Sequence, residues 1–341
     1  MGKLLVVTHD LVPSGLARRL DTFARAMPRG EVEICLLGPP SPWSRALAGA
    51  GVPVHAIDAR GPFDLRGSWQ LRERIRGAAT VWAWGPGAAW PVVLAGVRPS
   101  RLRLVSPLPS GRRPSLALGW LARRCGLLVA DGEAEGERLR KLGVDDSCLR
   151  VVAPGVETGI PAVPATMPGL PDDAQVVLVI GPIARSKGHR DAVRALDILR
   201  YLYDRLHLVL IGAGPDEAGV RRFVGMMRCD DTTHFVGPVA DLAPWLARAD
   251  VVVAPGVGGR MAILDAMAAG RPVVATRSVD RADLLDHGRT GLFATFGDLP
   301  DLCRRVKAIL DDGALARTLG ENARAEAASR FPIAAFVEAM R

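Results

Sequence analysis

Apolar runs of strand length recur along the chain, separated by stretches in which apolar residues return every three or four positions. The opening run "KLLVVT" is apolar on both alternations, the pattern of a parallel strand buried on two faces. A Pro-Ser-Gly turn follows, and then Leu16, Leu20, Phe23, Ala24 and Met27 recur at helical spacing. Gly15 is therefore predicted where the first strand hands over to a helix N-terminus. "EVEICLLG", "VPVHAID", "TVWAW", "RLRLVSP" and "GLLVADG" continue the series, with helical or Gly/Pro-rich pieces between them. Such alternation predicts a parallel α/β domain.

"TGIPAVPATMPGLPDD", from Thr158 to Asp173, breaks the pattern with four prolines and no periodicity, and it reads as a linker. Beyond it the alternation resumes in "AQVVLVIG", "RLHLVLIG", "TTHFVG", "ADVVVAPG" and "RPVVAT". Helices are predicted around Asp191–Tyr203, Glu217–Met227, Ala240–Ala249 and Met261–Ala269. The expected organisation is a first domain over 1–158, a linker over 159–173 and a second domain over 174–341, its last helix packing back on the first domain. With 341 residues, 49% of them hydrophobic, the chain is long enough for two cores. The fold class is α/β: two doubly wound, Rossmann-like domains facing each other across a cleft, where such sheets bind ligands.

Charge changes this picture in the first half alone. Residues 1–160 carry 22 basic and 14 acidic side chains, against 22 and 22 in the remainder. Six of the seven tryptophans, Trp43, Trp69, Trp82, Trp84, Trp90 and Trp120, lie there as well. An anionic or amphipathic partner would suit such a surface: a membrane face, a lipid phosphate or a sugar. Forty arginines against four lysines is equally what GC-rich coding produces, which would leave much of the surplus as solvated surface. The charge-free stretch Gly77–Val97 is broken by Gly85, Pro86, Gly87 and Pro91, so it predicts a strand, a tight turn and a short helix and not a membrane span. The N-terminal apolar run is too short for a signal peptide, and five scattered cysteines make no zinc or disulfide pattern. A cytoplasmic protein, possible contact with the inner face of the membrane included, is the expectation, with no metal and no nucleic acid partner.

Neither half has GxGxxG after its first strand, and no Walker GxxxxGK[ST] occurs, which disfavours nicotinamide and P-loop chemistry. "GPIARSKGH" places Lys187 between a strand end and a helix start, where a cation meets a phosphate, with Arg185 two residues earlier as a second ligand. A solvated loop charge is the alternative for Lys187. In the segment from Ala249 to Thr276, a strand is followed by a loop with Gly256, Gly258 and Gly259 and by a helix near Met261, an arrangement that aims backbone amides at an anion. Asp265 shares a helical stripe with Met261, Leu264 and Ala268. It lies roughly 6 Å along the axis at ~1.5 Å per residue, about the offset between a diphosphate and its ribose. An intraprotein hydrogen bond is the alternative reading.

The pieces "GPIARSKGH", "LVLIGAGPDE", "THFVGPVADLAPWLARADVVVAPG", "LDAMAAGRPVVAT" and "LLDHGRTGLFATFGDLPDL" resemble, in order, the nucleotide-sugar domain of GT-B glycosyltransferases of family 4. "VVTHDLVPSGLARRL" and "LRVVAPGVE" resemble that family's first strand–loop–helix and its domain junction. The resemblance implies retaining transfer of a sugar from a nucleoside diphosphate, with no cofactor and no obligatory metal. It implies that Lys187 holds the leaving diphosphate, aided by amides near Gly258, Gly259, Arg260 and Met261, and that Asp265 takes the ribose in place of a glutamate. Pro238 and Val239 match the segment that meets the base, and Gly15 matches a glycine of the phosphate-facing loop. His9 and Asp10, at the end of the first strand, are candidates for contact with acceptor or donor.

The departures are equally specific. Val257 stands where the family's first glutamate would be, and Pro182 replaces an arginine, leaving Arg185 as a stand-in. The first-domain histidine has no match in "LVSPLPSG", and Arg260 occupies a usual glycine position, where it would restore a cation near the diphosphate. The acceptor implied is lipid-linked or a small-molecule glycoside. The alternative reading is a catalytically impaired GT-B protein that binds a nucleotide or glycan or serves as a partner subunit. An epimerase or phosphorylase on the same fold is a third possibility, though none of the four lysines has a recognisable pyridoxal-phosphate context.

Overall fold

The computed structural model describes residues 3–11, 14–57, 65–85, 87–108, 115–159 and 163–341. Pro13 of the first turn and the end of "LVSPLPSG" lie outside them. The chain divides into unit 1, Met1–Gly155 with Ile333–Arg341, and unit 2, Val156–Pro332.

Unit 1 runs β1 (Leu4–Thr8), α1 (Gly15–Ala26), β2 (Val32–Leu36), α2 (Pro42–Gly49), β3 (Val54–Ala56), α3 (Leu65–Arg76), β4 (Thr80–Trp84), α4 (Ala89–Leu94), β5 (Leu102–Val105), α5 (Leu116–Ala122), β6 (Leu127–Ala130), α6 (Glu133–Lys141) and β7 (Leu149–Val151). The strands form one parallel sheet in the order β3-β2-β1-β4-β5-β6-β7. Leu5 and Val7 join the core on one face and Val6 the core on the other, as the two-sided apolar run predicts. β7 escapes the sequence pattern because it is a three-residue edge strand, "LRV", without a buried residue. Gly77–Val97 becomes β4, a turn at Gly85 and α4, and no helix among the described residues is long and apolar enough to cross a membrane.

Trp82 and Trp84 correct the expectation of a tryptophan-rich partner surface. Both are buried, stacked on Phe23 of α1 at 5.4 and 5.9 Å between ring centroids. The last helix (Ile333–Met340) adds Phe336, Val337 and Met340 to the same core. Arg19 of α1 is buried beneath it. Its Nη1 donates to Ser106 Oγ (2.8 Å), its Nη2 to the Val152 carbonyl (2.8 Å), and its guanidinium lies 5.4 Å from the Phe336 ring. Nearby, Glu135 in the first turn of α6 accepts from the backbone amides of Leu108 (3.1 Å) and Asp131 (2.9 Å). Burial and the Asp131 charge push its pKa up to about 8, against the pull of those two amides and of Arg19.

Unit 2 runs β8 (Gln175–Ile180), α7 (His189–Leu199), β9 (Leu206–Ile211), α8 (Glu217–Met226), β10 (Thr233–Gly237), α9 (Ala243–Arg248), β11 (Val251–Ala254), α10 (Arg260–Ala268), β12 (Val273–Thr276), β13 (Leu292–Ala294), α11 (Leu299–Asp311) and α12 (Gly313–Arg330). Its parallel sheet has the order β10-β9-β8-β11-β12-β13. The expected linker falls mostly inside this unit. Residues 160–162 are outside the described part, but Leu170 is buried, and Arg248 Nη2 donates to the carbonyls of Pro171 and Asp172 and, just beyond the linker, of Ala174. α10 is buried at every residue and not on a stripe, because α12 covers it: a Cβ added at Gly320 would stand 2.2 Å from the Gly270 carbonyl oxygen.

The raised pKa of Glu135 carries a pH dependence. The native state holds a proton that the unfolded state has lost between about pH 4.5 and 8, so unit 1 is most stable below that window and loses stability as pH rises through it. Urea unfolding followed by tryptophan fluorescence reports mainly unit 1, which holds six of the seven tryptophans. The midpoint is expected to fall from pH 5 to 8, and Glu135→Gln to flatten that slope; equal slopes would remove Glu135 as its source.

Candidate functional site

In unit 2 the chain leaves β8 for β9 and β10 on one side and returns to β11 on the other. The carboxyl ends of β8 and β11 therefore flank the crevice where crossovers diverge, the usual ligand position in an open parallel sheet. Two loops line it, residues 181–188 after β8 and 255–259 after β11.

These loops touch through their backbones. A Cβ at Gly188, whose φ is +73°, would lie 2.6 Å from the Pro255 carbonyl carbon, and one at Gly256 would lie 2.2 Å from that of Lys187. Only glycine permits so close an approach. Val257 N donates to the Ser186 carbonyl (2.8 Å), and Lys187 Nζ to the Val257 carbonyl (2.9 Å). Lys187 is thus drawn from its own loop onto the loop that opens α10. Burial, and next the Arg281 charge, lower its pKa, while Asp280 opposes them. A half-buried ammonium in that setting is stabilised by an arriving anion. His189, the first residue of α7, is buried, and its pKa is pushed down to about 4 by burial and then by Lys187, so its ring adds no competing charge at neutral pH.

Gly259 caps α10 in the left-handed region (φ +81°). The first amides of that helix, from Arg260 and Met261 onward, lack intrahelical acceptors and make its end an anion site in principle. Two expected contributions differ from the sequence reading. The Gly258 amide is already taken by Asp280 Oδ2 (2.8 Å). The Arg260 guanidinium is buried against Asp283, with Nη1 to Oδ1 at 2.6 Å and Nη2 to Oδ2 at 2.9 Å, and Nη1 also reaches the Asp280 carbonyl (2.7 Å). Its charge is matched by Asp283, which leaves the Arg260 backbone amide as its offering to a ligand. Met261 and Asp265 are buried on the same helix, and Arg185 is exposed on the rim. Pro238 is exposed and Val239 half-buried beyond β10, on the same carboxyl edge, where Gly212 N donates to the Gly237 carbonyl (2.9 Å).

Unit 1 has its own divergence point between β1 and β4. His9 and Asp10 follow β1, both exposed, with His9 Nδ1 3.6 Å from Asp10 Oδ2. A Cβ at Gly87 would lie 3.3 Å from His9 Cβ, so the turn after β4 packs against the histidine. Gly15 opens α1, whose cap Ser14 accepts from Ala17 N (3.2 Å). Lys187 and residues 256–261 thus converge in unit 2, and His9, Asp10 and Gly15 gather in unit 1.

Sequence reasoning missed Asp280, Arg281 and Asp283. They sit in "SVDRAD", a short polar stretch after β12 with no periodicity to mark it. Asp283→Ala would leave the buried Arg260 charge uncompensated, and a loss of about 3 kcal/mol is expected in urea unfolding. Arg260→Met in the same chain should restore most of it; an unaltered midpoint in Asp283→Ala would show that the pair contributes little.

The description "Glycosyltransferase Family 4" matches residues 13–159, and "Glycosyl transferases group 1" matches residues 174–312. D-inositol 3-phosphate glycosyltransferase of Pseudarthrobacter chlorophenolicus is 30% identical over 229 residues, 63% of this chain and 54% of that protein. The lipopolysaccharide core biosynthesis glycosyltransferase LpsE of Rhizobium meliloti is 27% identical over 220 residues, 64% and 63% of the two chains. The chain spans about half the length of the first of these relatives. Among solved structures, Anabaena Alr3699/HepE with UDP and glucose superposes with a TM-score of 0.84 at 19% identity, covering 100% of this chain and 98% of that one. WaaG, a glycosyltransferase involved in lipopolysaccharide biosynthesis, gives 0.73 at 14% identity, with 98% of both chains covered. Two parallel Rossmann-like sheets, a lysine and a helix N-terminus at the divergence point of the second, and two family descriptions that between them reach from residue 13 to 312 place this chain among the GT-B glycosyltransferases of family 4.

Proposed function

We propose that this protein transfers a sugar from a nucleoside diphosphate sugar to a hydroxyl acceptor, with retention of anomeric configuration. In that reaction the bond from the anomeric carbon to the diphosphate oxygen breaks, a bond to the acceptor oxygen forms, and the acceptor proton leaves with the diphosphate or to solvent. The observation that carries the reading is the placement of Lys187 Nζ on the loop that opens α10. A leaving diphosphate gains negative charge, and a cation and helix amides already aimed at it lower the barrier without reorganising. These groups belong to the protein, so the proposal calls for no metal and no cofactor.

Asp265 is assigned the ribose and the segment at Pro238 and Val239 the base. The HepE structures contain UDP, with glucose or as UDP-glucose, which favours uridine as the base. Val257 offers a sugar no carboxylate, so the donor sugar is held by other groups. Thermal unfolding with UDP, GDP, ADP, CDP and TDP in turn tests the site, since a ligand at 100 times its Kd adds about 2.7 kcal/mol. UDP is expected to raise the midpoint with or without Mg²⁺, and Lys187→Ala and Asp265→Asn to abolish the shift. No shift with any of the five would sink the reading.

The proposed acceptor is lipid-linked, and its approach would be through α4 and α5 of unit 1. Trp90 stacks on Trp120 (centroids 6.3 Å apart, planes at 15°), Arg124 lies 4.4 Å over Trp120, and Leu116 is 94% exposed beside them in sequence. Aromatic and aliphatic side chains on two short helices, with a basic one just past the end of α5, suit an anionic lipid surface. Co-sedimentation with vesicles containing phosphatidylglycerol should exceed that with phosphatidylcholine alone, and Trp120→Ala with Arg124→Ala should reduce it several-fold; equal sedimentation with both lipids would remove the membrane from the proposal.

A further inference from the structure

Among the described residues, Arg281 is the strongly buried cation at the unit 2 crevice that the resemblance does not account for. It ends the short turn Val279–Arg281 after β12 and is 2% exposed. Its Nε donates to the Gly258 carbonyl (2.6 Å), and its Nη1 to the Ala254 carbonyl (2.8 Å), the Thr276 carbonyl (3.1 Å) and Thr276 Oγ1 (3.2 Å). The guanidinium therefore spans the ends of β11 and β12 and grips the loop that opens α10. Among the described residues, Nη2 makes no hydrogen bond. That nitrogen faces Gly259: a Cβ added there would lie 3.7 Å from it, and from no other atom within 4 Å.

Gly259 is the cap of α10, so the free edge of the guanidinium and the first amides of the helix meet at one point. Lys187 is close enough for the two cations to disfavour one another. One carboxylate, Asp280, faces both, and it already accepts the Gly258 amide. Arg260, the other arginine of the loop, is matched by Asp283. Lys187, Arg281 and Asp280 together leave a surplus of one positive charge at a helix N-terminus. Burying such a surplus is costly unless an anion completes it.

We infer that Arg281 is a diphosphate-binding residue, its Nη2 edge hydrogen-bonding a phosphate oxygen of the nucleotide across Gly259 while Lys187 holds the other side. This rests on the proposed donor site and goes beyond it by naming the second cation. Pro182 removes the arginine that the family resemblance would place on the β8 loop, and Arg281 supplies a guanidinium from the β12 side instead. Arg281 also shapes the loop through its carbonyl contacts, so the test must separate the two roles. Loss of loop shape would weaken every ligand of the site, whereas loss of a phosphate contact weakens only ligands that carry phosphate.

The experiment compares UDP with uridine on the full chain by calorimetry. For Arg281→Gln, UDP affinity is expected to fall about ten- to a hundredfold, the range for one hydrogen bond to a charged group, with uridine affinity unchanged and Arg281→Lys recovering part of the loss. Equal weakening of UDP and uridine, or none of either, would overturn the inference while leaving the donor site standing. A wild-type protein that binds none of the five nucleoside diphosphates would instead overturn the donor site itself. Because Arg281→Gln removes a buried anchor and could fail to fold, a crystal structure of the wild-type chain with UDP tests the contact independently. A phosphate oxygen within hydrogen-bond distance of Nη2 is expected, and a diphosphate bound out of its reach would refute the assignment.

Discussion

The candidate site of unit 2 depends on a contact between two glycine backbones. Gly188 and Gly256 meet at distances that no side chain would allow, and this brings the loop after β8 against the loop after β11. Once they meet, the Ser186 carbonyl accepts from Val257 N, Lys187 Nζ donates to the Val257 carbonyl, and the first turn of α10 follows that loop. Neighbouring strands of a parallel sheet place their carboxyl ends side by side in any case. The glycines convert that neighbourhood into a fixed geometry for a charged group, which is what the proposed transfer would require.

Around this contact the charges are sorted by partner. Arg260 is neutralised by Asp283, His189 is held neutral by burial, and Asp280 stands between Arg281 and the Gly258 amide. The carbonyl oxygens of Ala254, Val257, Gly258 and Thr276 solvate Lys187 and Arg281 in place of water. Carbonyl dipoles hold a cation in place without cancelling its charge, so the field at the start of α10 stays positive.

Unit 1 is organised around a different buried cation. Arg19 ties α1 to Ser106, to the end of β7 and to the last helix, and Phe23, Trp82 and Trp84 stack in the core that this helix covers. Glu135 fixes the loop after β5 to the start of α6 through two amides, and its burial keeps it protonated well above the ordinary glutamate range. The tryptophan-rich composition of this half thus has two uses: Trp82 and Trp84 are core, while Trp120 is set on the surface against Trp90 and Arg124.

Much of this was legible along the chain, because a buried parallel strand needs a continuous apolar run and a helix start needs a turn and a cap. "KLLVVT", "AQVVLVIG" and "ADVVVAPG" became β1, β8 and β11, and Lys187, Gly256 and Gly259 fell at the ends of strands and starts of helices. The strands β7 and β13 were missed as separate elements; each is three residues long at a sheet edge, too short to set up a period. Residues 163–173 of the expected linker pack within unit 2, where Arg248 supplies the carbonyls of Pro171 and Asp172 with a donor from a distant helix. Local periodicity and turn chemistry, which each segment carries in itself, therefore determined the element order, the two Rossmann-like halves and the position of Lys187. The partners of its charged residues were decided only by the tertiary structure, which turned Arg260 to Asp283, Arg281 to the α10 cap and Arg19 to the last helix, since the direction of an arginine is set by which carbonyls and carboxylates other strands bring within its reach.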